Sequence, residues 1–140
     1  MKKFIAMITS ICLCAVAFLS TPALVSAVGN DEPAFIVEEV SGYAGDEVTV
    51  NINVKNNPGI CSAGVTVSYD GTALELKSVE NGTVLEGMVP VNVANNPCKI
   101  LWNTLADSTA NGVLVTLTFT VKENADSGKS AITLTYDPDE

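Results

Sequence analysis

From Phe35 onward, apolar and polar residues alternate with a period of two, the spacing of a strand with one face in a core and one in water. Val48-Thr49-Val50-Asn51-Ile52-Asn53-Val54 shows the pattern unbroken, with every even position apolar and every odd one polar. Val65, Val67 and Tyr69 repeat it, as do Val115, Leu117, Phe119 and Val121. No stretch after Ala27 carries an apolar stripe at helical spacing. Strands are predicted over 35–40, 47–56, 60–69, 73–79, 89–93, 99–105, 113–122 and 131–136. Turn formers separate them: Gly45-Asp46, Asn57-Pro58-Gly59, Asp70-Gly71, Asn81-Gly82, Asn95-Asn96-Pro97, Asn111-Gly112 and Asp126-Ser127-Gly128. Short strands at this spacing predict an all-β fold, a two-sheet antiparallel β-sandwich with jelly-roll topology.

One stretch departs from the alternation. Over 99–106, Ile100, Trp102 and Ala106 fall on one parity while Leu101 and Leu105 fall on the other, so both faces are apolar. In a two-layer sandwich only one face of a strand meets the core. The other is covered by a partner or by a loop, or else a bulge shifts the parity; the pattern leaves all three open.

The first 27 residues follow a different logic. Lys2 and Lys3, an apolar run from Phe4 to Leu19 and the small-residue site Val25-Ser26-Ala27 predict a secretory signal peptide over 1–27, cleaved after Ala27. A polar lead-in over 28–34 and one domain over 35–140 follow. The apolar run, interrupted by Thr9 and Ser10, is shorter than the ~20 residues that span a bilayer, and no later stretch approaches that length. The expectation is a secreted or cell-surface, extracellular protein with no membrane contact after cleavage.

Charge narrows the partner class. The 140 residues hold seven lysines, no arginine and 16 acids, a net charge of −9. Losing the leader leaves 5 lysines against 16 acids, or −11. Nucleic acid is not an expected partner, because neutralising phosphates needs clustered basic residues; a cationic protein surface would be attracted. Cys12 and Cys14 leave with the leader, and Cys61 and Cys98 remain where disulfides are permitted.

Catalytic chemistry finds little support. With no histidine, neither a Ser-His-Asp or Cys-His site nor a histidine-ligated metal can be assembled. Paired carboxylates could hydrolyse glycosides, but the acids sit at strand ends, as Asp46 and Glu47 do, or on polar faces, as Glu38 and Glu75 do. The terminal Asp137-Pro138-Asp139-Glu140 lacks the glycine and spaced oxygens of a calcium loop. Six aromatic residues follow Ala27, namely Phe35, Tyr43, Tyr69, Trp102, Phe119 and Tyr136. Tyr69 and Phe119 fall on core parities, which leaves few rings for a glycan platform. The chain is expected to be no enzyme and to carry no cofactor or metal.

Several segments, taken in order and spacing, resemble a bacterial cohesin domain of the cellulosome scaffoldin type, nearest to type I. They are Tyr43-Ala44-Gly45-Asp46-Glu47-Val48-Thr49-Val50, Asn57-Pro58-Gly59-Ile60 through Val67-Ser68-Tyr69-Asp70, Ala73-Leu74-Glu75-Leu76 with Asn81-Gly82, and Asn111 through Lys122 followed by Gly128. The resemblance runs from about Phe35 to the end and implies nine strands. Strands eight, three, six and five would form a dockerin-binding face, here 131–136, 60–69, 99–105 and 89–93. It implies a non-catalytic module that captures dockerin-bearing, carbohydrate-active enzymes for cellulosome-like assembly on polysaccharide. A carbohydrate-binding module and a structural spacer of a surface protein are the alternatives.

Carried over by position, the dockerin contacts fall on Ser62, Gly64, Trp102, Thr104, Asp107 and Ser108, with Trp102 expected on the outer face as the anchor. Gly64 stands where some members carry an acid. Calcium would belong to the dockerin alone. In this topology Cys61 and Cys98 start antiparallel neighbouring strands and lie at opposite ends of them. At ~3.3 Å per residue their separation exceeds the ~7 Å limit for a disulfide, so free thiols are expected. A family member would continue past Tyr136-Asp137-Pro138 into one more strand paired with the first. The domain as given is therefore read as C-terminally incomplete, with an open first-strand edge that invites self-association.

Overall fold

The computed structural model describes residues 6–8 and 32–137. Apart from residues 6–8, the predicted leader lies outside the described residues, as do 138–140. The strands in chain order are β1 (Ala6–Ile8), β2 (Ala34–Val37), β3 (Ser41–Gly42), β4 (Glu47–Lys55), β5 (Ile60–Tyr69), β6 (Leu74–Asn81), β7 (Cys98–Ser108), β8 (Gly112–Val121), β9 (Lys129–Ser130) and β10 (Ile132–Asp137). They build a four-stranded sheet, β2-β4-β8-β6, facing a three-stranded sheet, β10-β5-β7. Every pair within these two sheets is antiparallel. From β4 to β8, each connection crosses from one sheet to the other, the wiring of a jelly roll.

Alternation decides what each strand buries. Val48, Val50, Ile52 and Val54 of β4 point inward, against Phe119, Leu117 and Val115 of β8. From the opposite sheet come Val65, Val67, Ile100, Trp102, Ile132 and Leu134. Tyr69 meets Phe119 edge-on at 5.1 Å between ring centres, tying the two layers together. Single extra residues at Leu114 and Lys77 shift the register of β8 against β4 and of β6 against β8. The first shift lets Leu114 and Val115, neighbours in sequence, both be buried.

The strand predicted over 35–40 ends at Val37. Ala34–Val37 pairs with β4; Glu38 then turns its carboxylate to the amides of Asn51 and Asn53, at 2.9 and 3.0 Å. The chain resumes at Ser41–Gly42, which pairs antiparallel with Ala6–Ile8, and Ala6–Ile8 in turn pairs parallel with Lys129–Ser130. Ser41–Gly42 lies beyond the predicted strand, and β2 stands at the edge of its four-stranded sheet.

The strand predicted over 89–93 is absent. Pro90 has no N–H to offer a ladder. The Asn92 side chain accepts the Ala94 N–H at 3.1 Å, and the Asn95 N–H returns to the Asn92 carbonyl at 3.2 Å, closing a turn instead. What remains of this edge is a single bridge, Met88 to Trp102.

Trp102, expected on the outer face, is 2% exposed and sits in the core instead. Its indole N–H donates to Asn81 Oδ1 at 2.8 Å, and Asn81 Nδ2 donates to the Leu85 carbonyl at 2.8 Å. An indole can be buried when its one polar group is satisfied, and the residue at the end of β6 does this. Trp102→Ala should therefore destabilise the fold by ~3–5 kcal/mol. Asn81→Ala, which orphans the indole N–H, should cost ~1 kcal/mol, while Leu101→Ala should stay within ~0.5 kcal/mol. Urea unfolding of the three variants checks this order.

Candidate binding face

The register between β5 and β7 settles which side chains share the solvent side of the three-stranded sheet. Ser62 lies opposite Asn103, Gly64 opposite Leu101 and Thr66 opposite Lys99, whereas Ala63, opposite Trp102, points inward. The outer parity of β7 is thus Lys99, Leu101 and Asn103. Leu101 is 36% exposed at the centre of this face. Beside it runs the segment around Met88, held by the Val89 N–H on the Leu101 carbonyl at 2.8 Å and the Asn103 N–H on the Gly87 carbonyl at 3.4 Å. Gly87 has φ +74, and a Cβ there would stand 2.6 Å from the Asn103 carbonyl oxygen, so only glycine allows this approach. Val89, 42% exposed, adds a second apolar side chain next to Leu101.

Beyond Asn103 the ladder opens. Between the pairs Ser62–Asn103 and Ile60–Ser108, β5 contributes one residue, Cys61, and β7 contributes four, Thr104 to Asp107. The surplus forms a bulge whose tip is Leu105, 108% exposed. The Thr104 hydroxyl lies 2.9 Å from the Cys61 carbonyl and 2.8 Å from the Ala106 carbonyl and shares its proton between them, pinning the base of the bulge. At the far end, the largely buried Asn57 donates both amide hydrogens, to the Ser108 carbonyl at 2.9 Å and the Ala110 carbonyl at 2.8 Å, and accepts the Gly59 N–H at 3.1 Å. The Asn111 side chain accepts the Asn57 N–H at 3.0 Å. A cleft of about 620 Å³ runs along the bulge, walled by residues 83–87 on its other side.

Of the residues carried over by position, Ser62 and Gly64 flank Leu101 and Asn103 on the outer face, and Thr104, Asp107 and Ser108 belong to the adjoining bulge. Trp102 is not among them, because it lies beneath. The same outer face and bulge also carry Leu101, Asn103, Val89 and Leu105, which the transfer did not include. The signal for Leu101 and Leu105 was present in the doubled apolar parity of 99–106. Both explanations of that doubling apply: Leu101 is uncovered, and a bulge follows.

Cys61 and Cys98 are free, the first exposed and the second buried. Cys98 pairs with Val67, six positions along β5 from Cys61, which at ~3.3 Å per residue puts them far beyond disulfide reach. Among the described residues, no three Cys, Asp or Glu side chains gather where they could hold a metal ion.

The Cohesin domain family matches residues 33–138. The Cellulose-binding protein A of Clostridium cellulovorans is 31% identical over 109 residues, covering 73% of the chain but only 6% of that protein's own length. Among solved structures, the seventh ScaB type I cohesin of Pseudobacteroides cellulosolvens superposes with a TM-score of 0.57 at 31% identity, covering 67% of this chain and 66% of that one. The sixth cohesin of scaffoldin B from Acetivibrio cellulolyticus, solved in complex with a Cel5 dockerin mutant, gives 0.53 at 19% identity. That match covers 66% of this chain and 90% of that one, and it supports the fold alone.

The thiols give this geometry a direct check. Burial pushes the Cys98 thiol above its ordinary pKa, since the thiolate would lose its hydration. Of Cys61 and Cys98, a thiol reagent at pH 8 should modify only Cys61 in the folded chain and reach Cys98 on unfolding. Because the raised value belongs to the folded state, the thiol's contribution to stability is full below the unfolded pKa, ~8.5, and is lost as pH rises beyond it. Mass-spectrometric mapping of the labelled peptides reads the outcome.

Proposed function

The chain belongs to the cohesin family, and from that premise we propose that it is a secreted, non-catalytic receptor module that captures a dockerin-bearing partner on the outer face of the three-stranded sheet. The observation that carries this reading is the placement of Leu101. A leucine 36% exposed lies at the centre of a sheet face, opposite Gly64, which offers no side chain to cover it, and between Lys99 and Asn103 along its own strand. An apolar centre with a polar rim, here Ser62, Thr66, Asn103 and the charged Lys99, is the composition of a protein interface. Membership of the cohesin family supplies the partner class, and Cellulose-binding protein A supplies the setting, a much longer protein that contains a matching segment.

The rest of the reading follows from the sequence. Residues 1–27 act as the export signal, and the domain begins near Phe35. With no histidine in the chain, the module leaves hydrolysis to the enzymes it gathers. It needs no metal of its own; calcium serves the dockerin.

Calorimetric titration with a panel of calcium-loaded type I dockerins should yield at least one partner that binds in calcium and not in excess chelator. Leu101→Ser should weaken that complex by about tenfold or more, with the melting temperature unchanged. Binding of soluble cellulose or xylan oligomers in place of every dockerin would overturn the reading. So would sustained polysaccharide turnover by the purified chain that a single substitution abolishes.

A further inference from the structure

We propose that the bulge at Thr104 to Asp107 is a specificity device, in which Leu105 is a preformed hook that a partner must accommodate. This rests on the reading of the outer face as the dockerin site and adds to it the chemistry the partner must present. The ladder closes on both sides of the bulge without its surplus residues, through Ser62–Asn103 and Ile60–Ser108, so the surplus serves something other than pairing. Leu105 is as exposed as in an extended chain. A lone exposed leucine needs no explanation. This one stands on the same strand as the exposed Leu101, whose backbone carbonyl holds the exposed Val89, and its backbone is fastened at both ends, by the Thr104 hydroxyl and by Asn57. A hook already held in place loses little conformational freedom on association.

The surroundings specify the acceptor. The cleft between the bulge and residues 83–87 is lined by two carboxylates, Glu86 and Asp107, and by no lysine, in a protein of net charge −9. The complementary surface is an apolar notch that receives Leu105, with a lysine or arginine beside it whose stem lies along the cleft and whose charge faces Glu86 and Asp107. A dockerin with an acidic or bulky side chain at that notch is rejected by clash and repulsion.

The test uses the full chain against the calcium-loaded dockerin that binds most tightly in the panel. Leu105→Ser should lower affinity tenfold or more, about 1.4 kcal/mol, with no change in melting temperature, because the side chain packs against nothing in the fold. Asp107→Asn should weaken the complex at low salt and much less at high salt. Leu105→Ser within twofold of wild type, with Leu101→Ser still weakening binding tenfold, would overturn the hook while leaving the binding face standing. Both variants binding as wild type, or no dockerin binding at all, would remove the face and the hook together. Equal wild-type affinity at low and high salt would overturn the cationic part of the match.

Discussion

Adjacent residues in a strand point to opposite faces, so wherever Trp102 goes, Leu101 and Asn103 must go the other way. That constraint organises the three-stranded sheet. The indole is too large to be left out of a core this size, and it enters only because Asn81 reaches across from the other sheet to accept its N–H. With Trp102 inside, Leu101 is exposed by necessity, and the absence of a side chain at Gly64 keeps it so. The centre of the outer face is thus a by-product of how the inner face is filled.

The same bond joins the two halves of the fold. Asn81 ends a strand of the four-stranded sheet and Trp102 lies in the middle of the three-stranded one. Tyr69 against Phe119 makes a second link of the same kind. Phe35 of β2 against Tyr136 of β10, at 5.3 Å between ring centres, makes a third, and the aliphatic packing around these contacts is strong but carries little directional information. The polar and aromatic links define how one layer sits on the other.

Strands β4 and β8 were legible because their alternation is strict and each has one wet face. Their alternating positions fall as the pattern predicts, except Leu114, which the register shift buries beside Val115. The outer edge strands were harder to read. Over 35–40 the alternation ran through a break that only the Glu38 contacts with Asn51 and Asn53 explain, and those contacts join residues distant in sequence. Over 89–93 the valines alternated as in a strand while Pro90 and the Asn92 turn prevented one. At β7 the pattern itself was ambiguous, with apolar residues on both parities, and position matching chose the wrong one. The deciding fact was that Asn81, legible only as half of an Asn-Gly turn, is the hydrogen-bond partner of the tryptophan. A three-residue surplus in β7 could not be read either, since a bulge leaves no signature beyond a shift in parity.

Trp102 is the only tryptophan in the chain, and its position fixes what light can report about this protein. Excited in the native state, it emits from a dry, hydrogen-bonded site on the inner side of β7, with the backbone of the strand between it and anything that lands on Leu101. Its emission will follow the parting of the two sheets closely and register a bound partner weakly. A dye on the exposed thiol of Cys61, whose carbonyl anchors the bulge, looks outward instead. The two chromophores lie on one pair of neighbouring strands and address separate events, one the integrity of the core and the other the occupancy of the surface.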